Sequence, residues 1–540
     1  MKYLADLVCD TLEITISMFS DSIFILRKSN DKSDFAFYAN YRRFASSSEF
    51  LLVYDVDQNY EGYWKAQDNN VYYIRFVPKI MEHDRPTLFR KHYITDFNLY
   101  CCSIGFVDVD KNGLEEIYIV DTEKHNLLLS PKKVGAATSA AENLFIDRAE
   151  QFNIQASVRT RDQKMIFDHG ISFADVDNDG DEDGYLTSLH HSNLYFENIS
   201  GKIFHEKSKQ AGISGGEYRS IVGVWADVNN DGLVDLFVAN EDTTNMLFLN
   251  KGGNNFVDVT AESGLLSDER GNGAYFGDLD LDGDLDLVVT FHNYQPRIYR
   301  NDTDPAFPWQ VRFSDVTDDW LNCDVDSNAK NTGCFLADYD NDGDLDLFIC
   351  YQIFSNRLFQ NDGTGRFRDV TQQAGLIDSN LTCAAIFFDA DNDGDLDLYV
   401  ANREQDVFYE NLGNGTFRVN SHYFGSFGYS NSTNVSFADI DNDGDIDCFV
   451  SGGRGPVIYF ENRLDNLNFI KIKPVGVKSN RSAIGAKTLL YRAGHLDEKE
   501  HLLGLREVSS GNGLGGMPSR SITALMSIKN MICALFFPQE

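Results

Sequence analysis

Positive charge and proline are both in short supply in this 540-residue chain. Lys and Arg number 47 against 83 Asp and Glu, for a formal net charge of −36, and only 10 residues are Pro. The acidic balance argues against nucleic acid and anionic membrane as partners, because both present phosphate that a negative surface repels. Low proline with a 42% hydrophobic share and 69 aromatic residues (Phe 40, Tyr 25, Trp 4) excludes a disordered chain. Long apolar runs are missing too. The stretches from Ile14 to Leu26 and from Ile522 to Phe537 are too short to span a bilayer, and Asp21 and Lys529 interrupt them. The first residues lack a basic segment followed by an apolar one, since Asp6, Asp10 and Glu13 stand there. No H-E-x-x-H or G-x-x-x-x-G-K-[ST] motif occurs.

What the chain does have is acid in clusters, and the clusters repeat. Nine-residue blocks begin at Asp108, Asp175, Asp227, Asp278, Asp338, Asp389 and Asp439, at spacings of 67, 52, 51, 60, 51 and 50 residues. A period near 50 marks a repeat architecture. A degenerate copy, DVDQN from Asp55, lies 53 residues before Asp108 and offers an eighth unit. Within each unit an apolar run leads into the block and a continuous apolar run follows it, as in Leu236-Phe237-Val238 or Leu398-Tyr399-Val400. Short β-branched and aromatic runs of this kind read as strands buried on both faces. A third run, a Gly/Asn turn and a fourth run beginning at Phe256, Phe367 or Phe417 complete the unit. Four strands per repeat predict an all-β fold: a β-propeller of seven blades, or eight if the degenerate copy counts. The expected organisation is an unassigned segment 1–50 (or part of the degenerate blade), a propeller over 51–465, and a small β domain over 466–540.

Each block places oxygen ligands at positions 1, 3, 5 and 9 and Gly at position 6. The sets are Asp108, Asp110, Asn112 and Glu116; Asp175, Asp177, Asp179 and Asp183; Asp227, Asn229, Asp231 and Asp235; Asp278, Asp280, Asp282 and Asp286; Asp338, Asp340, Asp342 and Asp346; Asp389, Asp391, Asp393 and Asp397; and Asp439, Asp441, Asp443 and Asp447. A loop of this kind wraps a hard cation, and a flexible oxygen cage suits Ca²⁺ better than Mg²⁺. Position 12 carries Ile119, Leu186, Val238, Val289, Ile349, Val400 and Val450, which excludes the helical EF-hand with its bidentate Glu there. Two carboxylates about 5 Å apart repel by roughly 3 kcal/mol at an effective dielectric near 20, so four converging ones work against their own loop unless a cation joins them. Up to about seven Ca²⁺ ions are expected.

These blocks, each followed by a buried strand, resemble the FG-GAP/VCBS repeats of integrin α-subunit propellers and related bacterial proteins over about residues 100 to 465. The resemblance implies Ca²⁺ in the loop between the first two strands of each blade. Beyond the repeats, the segment from Asn480 to Lys487 (NRSAIGAK) and that from Arg506 to Gly513 (REVSSGNG) resemble the ASPIC/UnbV domain of cartilage acidic proteins and their bacterial relatives. The H-F-G-L-G and W-P-x-G segments usual there are absent, which marks this domain as divergent or truncated.

A propeller places loops between strands one and two on one face and those between two and three on the other. His191, Glu241, Tyr294, Arg297, Arg403 and Arg454 are therefore expected on a partner-binding face opposite the acidic loops. A solvated turn pair is the plainer reading of His190-His191. Two function classes follow: a calcium-stabilised extracellular binding or adhesion module for a protein or glycan, or a propeller-based carbohydrate-active enzyme. Extracellular calcium modules bind with Kd of roughly 10⁻⁴ to 10⁻³ M and would be empty at cytosolic Ca²⁺, which favours a secreted or cell-surface setting despite the N-terminus. Cys323 and Cys334 flank the insertion in the 60-residue repeat and are candidates for a disulfide, whereas Cys350, Cys383 and Cys448 read as buried small hydrophobes. Sequons at Asn198, Asn301, Asn380, Asn414, Asn431, Asn434 and Asn480 allow glycosylation without arguing for it.

Overall fold

The computed structural model divides the chain into two compact units, Met1–Pro86 and Thr87–Glu540. Described are the strands of the first unit; residues 88–511 except 96–98, 123, 133–143, 157–166, 293, 322–329, 377–380, 421–422, 425–430, 454 and 465–469; and strands Ile522–Ala524 and Met531–Phe536. The first unit holds one six-stranded sheet built from strands between Ile14 and Phe76.

The second unit contains seven four-stranded antiparallel sheets arranged as a β-propeller. Blades one to six occupy residues 101–147, 167–206, 220–258, 271–315, 331–369 and 382–419. Blade seven takes three strands from 432–462, and its outermost strand is Phe89–Tyr93, paired antiparallel with Ile458–Asn462. Joining the two ends of the repeat region in one sheet closes the ring. There are therefore seven blades and not eight. The strands either side of Asp55, Leu52–Tyr54 and Tyr60–Lys65, belong to the sheet of the first unit, and residues 55–59 themselves lie outside the described residues.

Blade three shows why these sequences make these elements. Its strands are Ser220–Ala226, Asp235–Asn240, Met246–Asn250 and Phe256–Asp258. The first two are buried at every position, as their continuous apolar runs require when neighbouring blades cover both faces. Trp225 fills the gap toward blade two, with Tyr185 edge-on at 5.8 Å and Tyr195 at 6.5 Å. First strands neighbour one another around the ring, seven against one included, so they are the innermost. Each acidic block links the first strand to the second, and each ends the strand nearest the axis.

The C-terminal region adds a hairpin of Lys487–Arg492 and Leu502–Glu507, with Met531–Phe536 on the first of these strands, and a two-stranded pair of Ile470–Ile472 with Ile522–Ala524. Its apolar residues do not form a core of their own among the described residues. Ala483, Ile484, Ala486 and Val508 join the core of blades two to four, and Leu505 joins that of blades four and five.

Candidate metal loops and the faces of the ring

The seven blocks fold alike because their backbones are held by their own side chains. Position 4 takes a left-handed conformation in every copy, with φ between 54° and 61°, and Gly at position 6 does so at 86° to 100°. Asn tolerates that region better than other side chains, and five of the seven copies carry Asn at position 4. The position 1 carboxylate accepts the N–H groups of positions 5 and 6, as Asp227 does from Asp231 and Gly232 at 3.0 and 2.9 Å. Position 5 accepts the N–H of position 7, for example Asp282 from Asp284 at 2.9 Å.

Position 9 is the framework group. Asp235 accepts the N–H of Val228 on one oxygen at 3.1 Å and that of Asn250, at the end of strand three, on the other at 2.7 Å. The same pair recurs at Asp183, Asp286, Asp346, Asp397 and Asp447.

Position 3 carries the clearest chemical signal. In blades one, five and six its outer oxygen is held by a donor: Arg148 on Asp110, Gln360 on Asp340 and Tyr423 on Asp391. The other oxygen, Oδ1 of Asp110, Asp280, Asp340 and Asp391, is buried with no hydrogen-bond partner, and Asp278 Oδ1 is a further one beside Asp280. Ligand atoms of Asp108, Asp110 and Glu116 lie within 4.8 Å of one another, and so do those of 175/177/179, 278/280/282 and 338/340/346. Burial and neighbouring carboxylates push Asp227 up to about 7, Asp389 to about 8, and Asp280, Asp391 and Asp441 to about 6. Buried carboxylate oxygens that converge and lack donors fit a hard divalent cation, which supplies the missing positive charge. Blade one fits less well because Arg148 already bridges Asp110, at 2.9 Å, and Glu116, at 3.9 Å. In blade three the Asn229 amide donates to Pro308 O, on the insertion of blade four.

Two rings of asparagine, missed in the sequence, tie the loops to one another. The Asn that closes strand three reaches back one blade and donates to the position 2 carbonyl there: Asn198 to Val109, Asn250 to Val176, Asn301 to Val228, Asn361 to Leu279, Asn411 to Tyr339 and Asn462 to Ala390. The Asn at position 4 reaches forward to the next block, as Asn178 to Gly232 O, Asn230 to Asp284, Asn341 to Asp395 and Asn442 to Gly113 O across the closure. Lys111 makes the equivalent contact with Asp181 at 2.6 Å. Leu281 is the gap in this ring.

The C-terminal region lies across these same loops, and three of its cations pair with position 1 carboxylates. Lys487 reaches Asp278 at 2.6 Å, Lys471 reaches Asp439 at 3.2 Å and Arg481 reaches Asp175 at 3.3 Å. Asn480 hydrogen-bonds Asp227, and Lys473 acts on Asp108, and Arg506 on Asp338 and Asp389, through charge alone. Burial lowers the pKa of Arg506, and Asp389, Asp338 and Asp395 oppose that effect.

On the opposite face the expected partner residues fall in separate places. Glu241 pairs with Arg219 at 2.6 Å, and Arg219 also contacts His190 at 2.9 Å, so the turns of blades two and three meet. His191 is half-buried and contacts Ser192 O. Tyr294 is exposed at the start of strand three of blade four, and Arg403 is exposed in blade six. Arg297 is held within its own blade by Glu269 and Asp315. Arg454 and Cys323 lie outside the described residues; Cys334, Cys350, Cys383 and Cys448 are buried thiols. Of the sequons, Asn198, Asn301, Asn434 and Asn480 are buried, Asn414 and Asn431 are exposed, and Asn380 lies outside the described residues.

A family model described as FG-GAP-like repeat matches residues 227–289, 278–349, 338–400 and 389–450, each match running from position 1 of one block to position 12 of the next. Residues 227–450 are thus similar to FG-GAP-like repeats. The propeller is also similar to cartilage acidic protein 1 of Homo sapiens, 30% identical over 179 residues that cover 32% of this chain and 26% of that one. With cartilage acidic protein 1 of Xenopus tropicalis it shares 25% identity over 325 residues, 56% of this chain and 48% of that one. The matches thus span between a quarter and a half of the relatives' length. Among solved structures, an Agrocybe aegerita lectin that recognises non-reducing terminal N-acetylglucosamine aligns at 16% identity and a TM-score of 0.37, over 61% of this chain and 82% of that one. At that score the alignment carries no argument. No helix among the described residues is long and apolar enough to cross a membrane.

Proposed function

We propose that the FG-GAP-like ring is a calcium-stabilised extracellular binding module whose protein or glycan partner docks on the face away from the acidic loops. The observation that carries the calcium reading is the set of buried, donorless Oδ1 atoms of Asp110, Asp280, Asp340 and Asp391 at position 3, the first three clustered with two further carboxylates of their own blocks. Ca²⁺ would be held by positions 1, 3, 5 and 9 in each blade, with blades one and three the weakest for the reasons above. The ion supplies charge and stiffness to the loops. Position 9 and the asparagine rings keep the cages in register with neighbouring blades.

Residues 470–511, read as a divergent ASPIC/UnbV-like domain, cover the acidic face near the axis. That leaves the turns between strands two and three for a partner, with His191, Glu241, Tyr294, Arg403 and Arg454 as the candidate contacts. Arg297 is assigned a supporting role through Glu269 and Asp315. Similarity to cartilage acidic protein 1 supports an extracellular setting.

Chelation tests the calcium reading. At 1 mM Ca²⁺ a site with Kd near 10⁻⁴ M contributes about 1.4 kcal/mol, so seven contribute about 10 kcal/mol. Unfolding entropy of about 2.1 cal/mol/K per residue makes this about 10 °C in Tm for a unit of this size. Adding EGTA should lower Tm by that order, Ca²⁺ should restore it, and equimolar Mg²⁺ should not. A melt that ignores EGTA refutes the proposal.

A further inference from the structure

We propose that His495, Glu498 and His501 form a second kind of metal site, one for a borderline transition cation such as Zn²⁺, in the connection between strands Lys487–Arg492 and Leu502–Glu507. The three residues recur at intervals of three along a series of tight turns. His495 N–H donates to Arg492 O at 3.0 Å, Glu498 N–H to His495 O at 3.3 Å, and His501 N–H to Glu498 O at 2.8 Å. Each turn folds the next side chain back onto the last. His495 Nδ1 lies 2.8 Å and His501 Nε2 3.6 Å from the same Glu498 oxygen, and the imidazole centroids are 3.8 Å apart. All three ligand atoms fall within 4.8 Å of one another.

The donor set separates this site from the acidic blocks. Two imidazoles and one carboxylate suit Zn²⁺, Cu²⁺ or Ni²⁺, whereas Ca²⁺ and Mg²⁺ take oxygen. Zn²⁺ bound at about 2.0–2.1 Å needs ligand atoms about 3.4 Å apart, a value that the present 2.8 and 3.6 Å separations bracket. Two His and one Glu leave the fourth tetrahedral position to water, and all three side chains are solvent-accessible, so ion and water have a path in. Nearby, Lys499 lies 3.7 Å from Asp342 of the blade-five block. The ion would therefore fasten the hairpin tip beside that block, without drawing on its ligands. This site stands whether or not the acidic loops hold calcium.

The test uses the full chain without a histidine tag, in 2 mM Ca²⁺ to occupy the acidic loops, titrated with Zn²⁺ by calorimetry. One equivalent should bind at micromolar concentration or below. His495→Ala with His501→Ala should weaken it by more than about 100-fold, and Glu498→Gln by less. Cu²⁺ in the same protein should give an electron paramagnetic resonance spectrum split by two nitrogens, lost in the double variant while the far-ultraviolet circular dichroism is retained. Zn²⁺ binding unchanged in the double variant, or absent from the parent chain, overturns the proposal.

Discussion

Replacing Asp406 by Asn should stabilise the ring, and the gain should grow with pH. At the turn between strands two and three, a side-chain oxygen catches the N–H that ends strand two. Asn126 does this for Asp121, Asn193 for Ser188, Asn245 for Asn240 and Asn356 for Tyr351, all between 2.9 and 3.0 Å. In blade six the catching residue is Asp406, at 2.8 Å from Asn402 N. Its other oxygen accepts from Tyr399 Oη and Ser432 Oγ at 2.8 and 2.7 Å. Burial nonetheless raises its carboxyl to about 7, with those hydrogen bonds pulling the other way. A folded-state pKa above the unfolded value of about 3.9 contributes stability only below that value, and the contribution is lost as pH rises through 7. Three pKa units set a ceiling of about 4 kcal/mol, and relaxation of a buried carboxylate makes about 2 kcal/mol the expected loss. Asn removes the charge and keeps the geometry, since Asn193 already donates to Tyr185 Oη and Ser220 Oγ at the equivalent place. Urea melts of both proteins from pH 4 to 8 at constant Ca²⁺ measure the difference, in which the titration of the loops cancels. Equal stability near pH 4 and a gain of about 2 kcal/mol at pH 8 are expected. A variant less stable than the parent at pH 8, or a difference that does not change with pH, refutes the reasoning.

Leu281→Asn should raise stability by about 1 kcal/mol in a urea melt, because Leu281 is half-exposed at φ 61° and Asn both tolerates that conformation and completes the ring of position 4 contacts toward blade five. Asn361→Ala should cost about 2–3 kcal/mol, since the Leu279 and Leu345 carbonyls lose their donor in a buried place; a loss under 0.5 kcal/mol would dissociate the asparagine ring from stability. Lys487→Met leaves Asp278 and Glu507 buried without their cation, so proteolysis between 464 and 480 should quicken, and more in EGTA than in Ca²⁺. Cleavage rates that match the parent's in both buffers would contradict that contact.

Repeat features were legible because each is local. The period, the Gly at position 6 and the doubly buried strand after it follow from residues within one block, and together they led to the propeller and the seven loops. The closing strand Phe89–Tyr93 was not legible. It has no apolar run, Phe89 alone of its five residues being buried, and its partner Ile458–Asn462 lies some 365 residues away. Two signals were present and unread. The stitching asparagines stand 22 or 23 residues after each of six block starts, and Asn at position 4 answers the left-handed backbone there. The cations that meet position 1 gave no such hint, because 471, 473, 481, 487 and 506 share no spacing and only the fold brings them to one ring.

That convergence bears on which face of the ring is free to bind. An acidic ring with seven inward carboxylates is a strong site for any cation, and in this chain its own C-terminal region sets Lys487, Lys471 and Arg481 on the position 1 carboxylates of three blades. Asp278 shows how one group serves two masters: Oδ2 receives Lys487 at 2.6 Å, while buried Oδ1 is left facing Asp280. A metal held beside Asp280 would thus call on a different oxygen of Asp278 from the one Lys487 takes, and neither would displace the other. Each raises the local positive potential, so both lower the charge that four close carboxylates would otherwise set against themselves. The C-terminal cations offset part of this charge from within the chain, which makes the acidic face a poorer surface for an external cationic partner. The opposite turns, unconstrained by metal geometry and different in every blade, are where sequence variation can produce specificity.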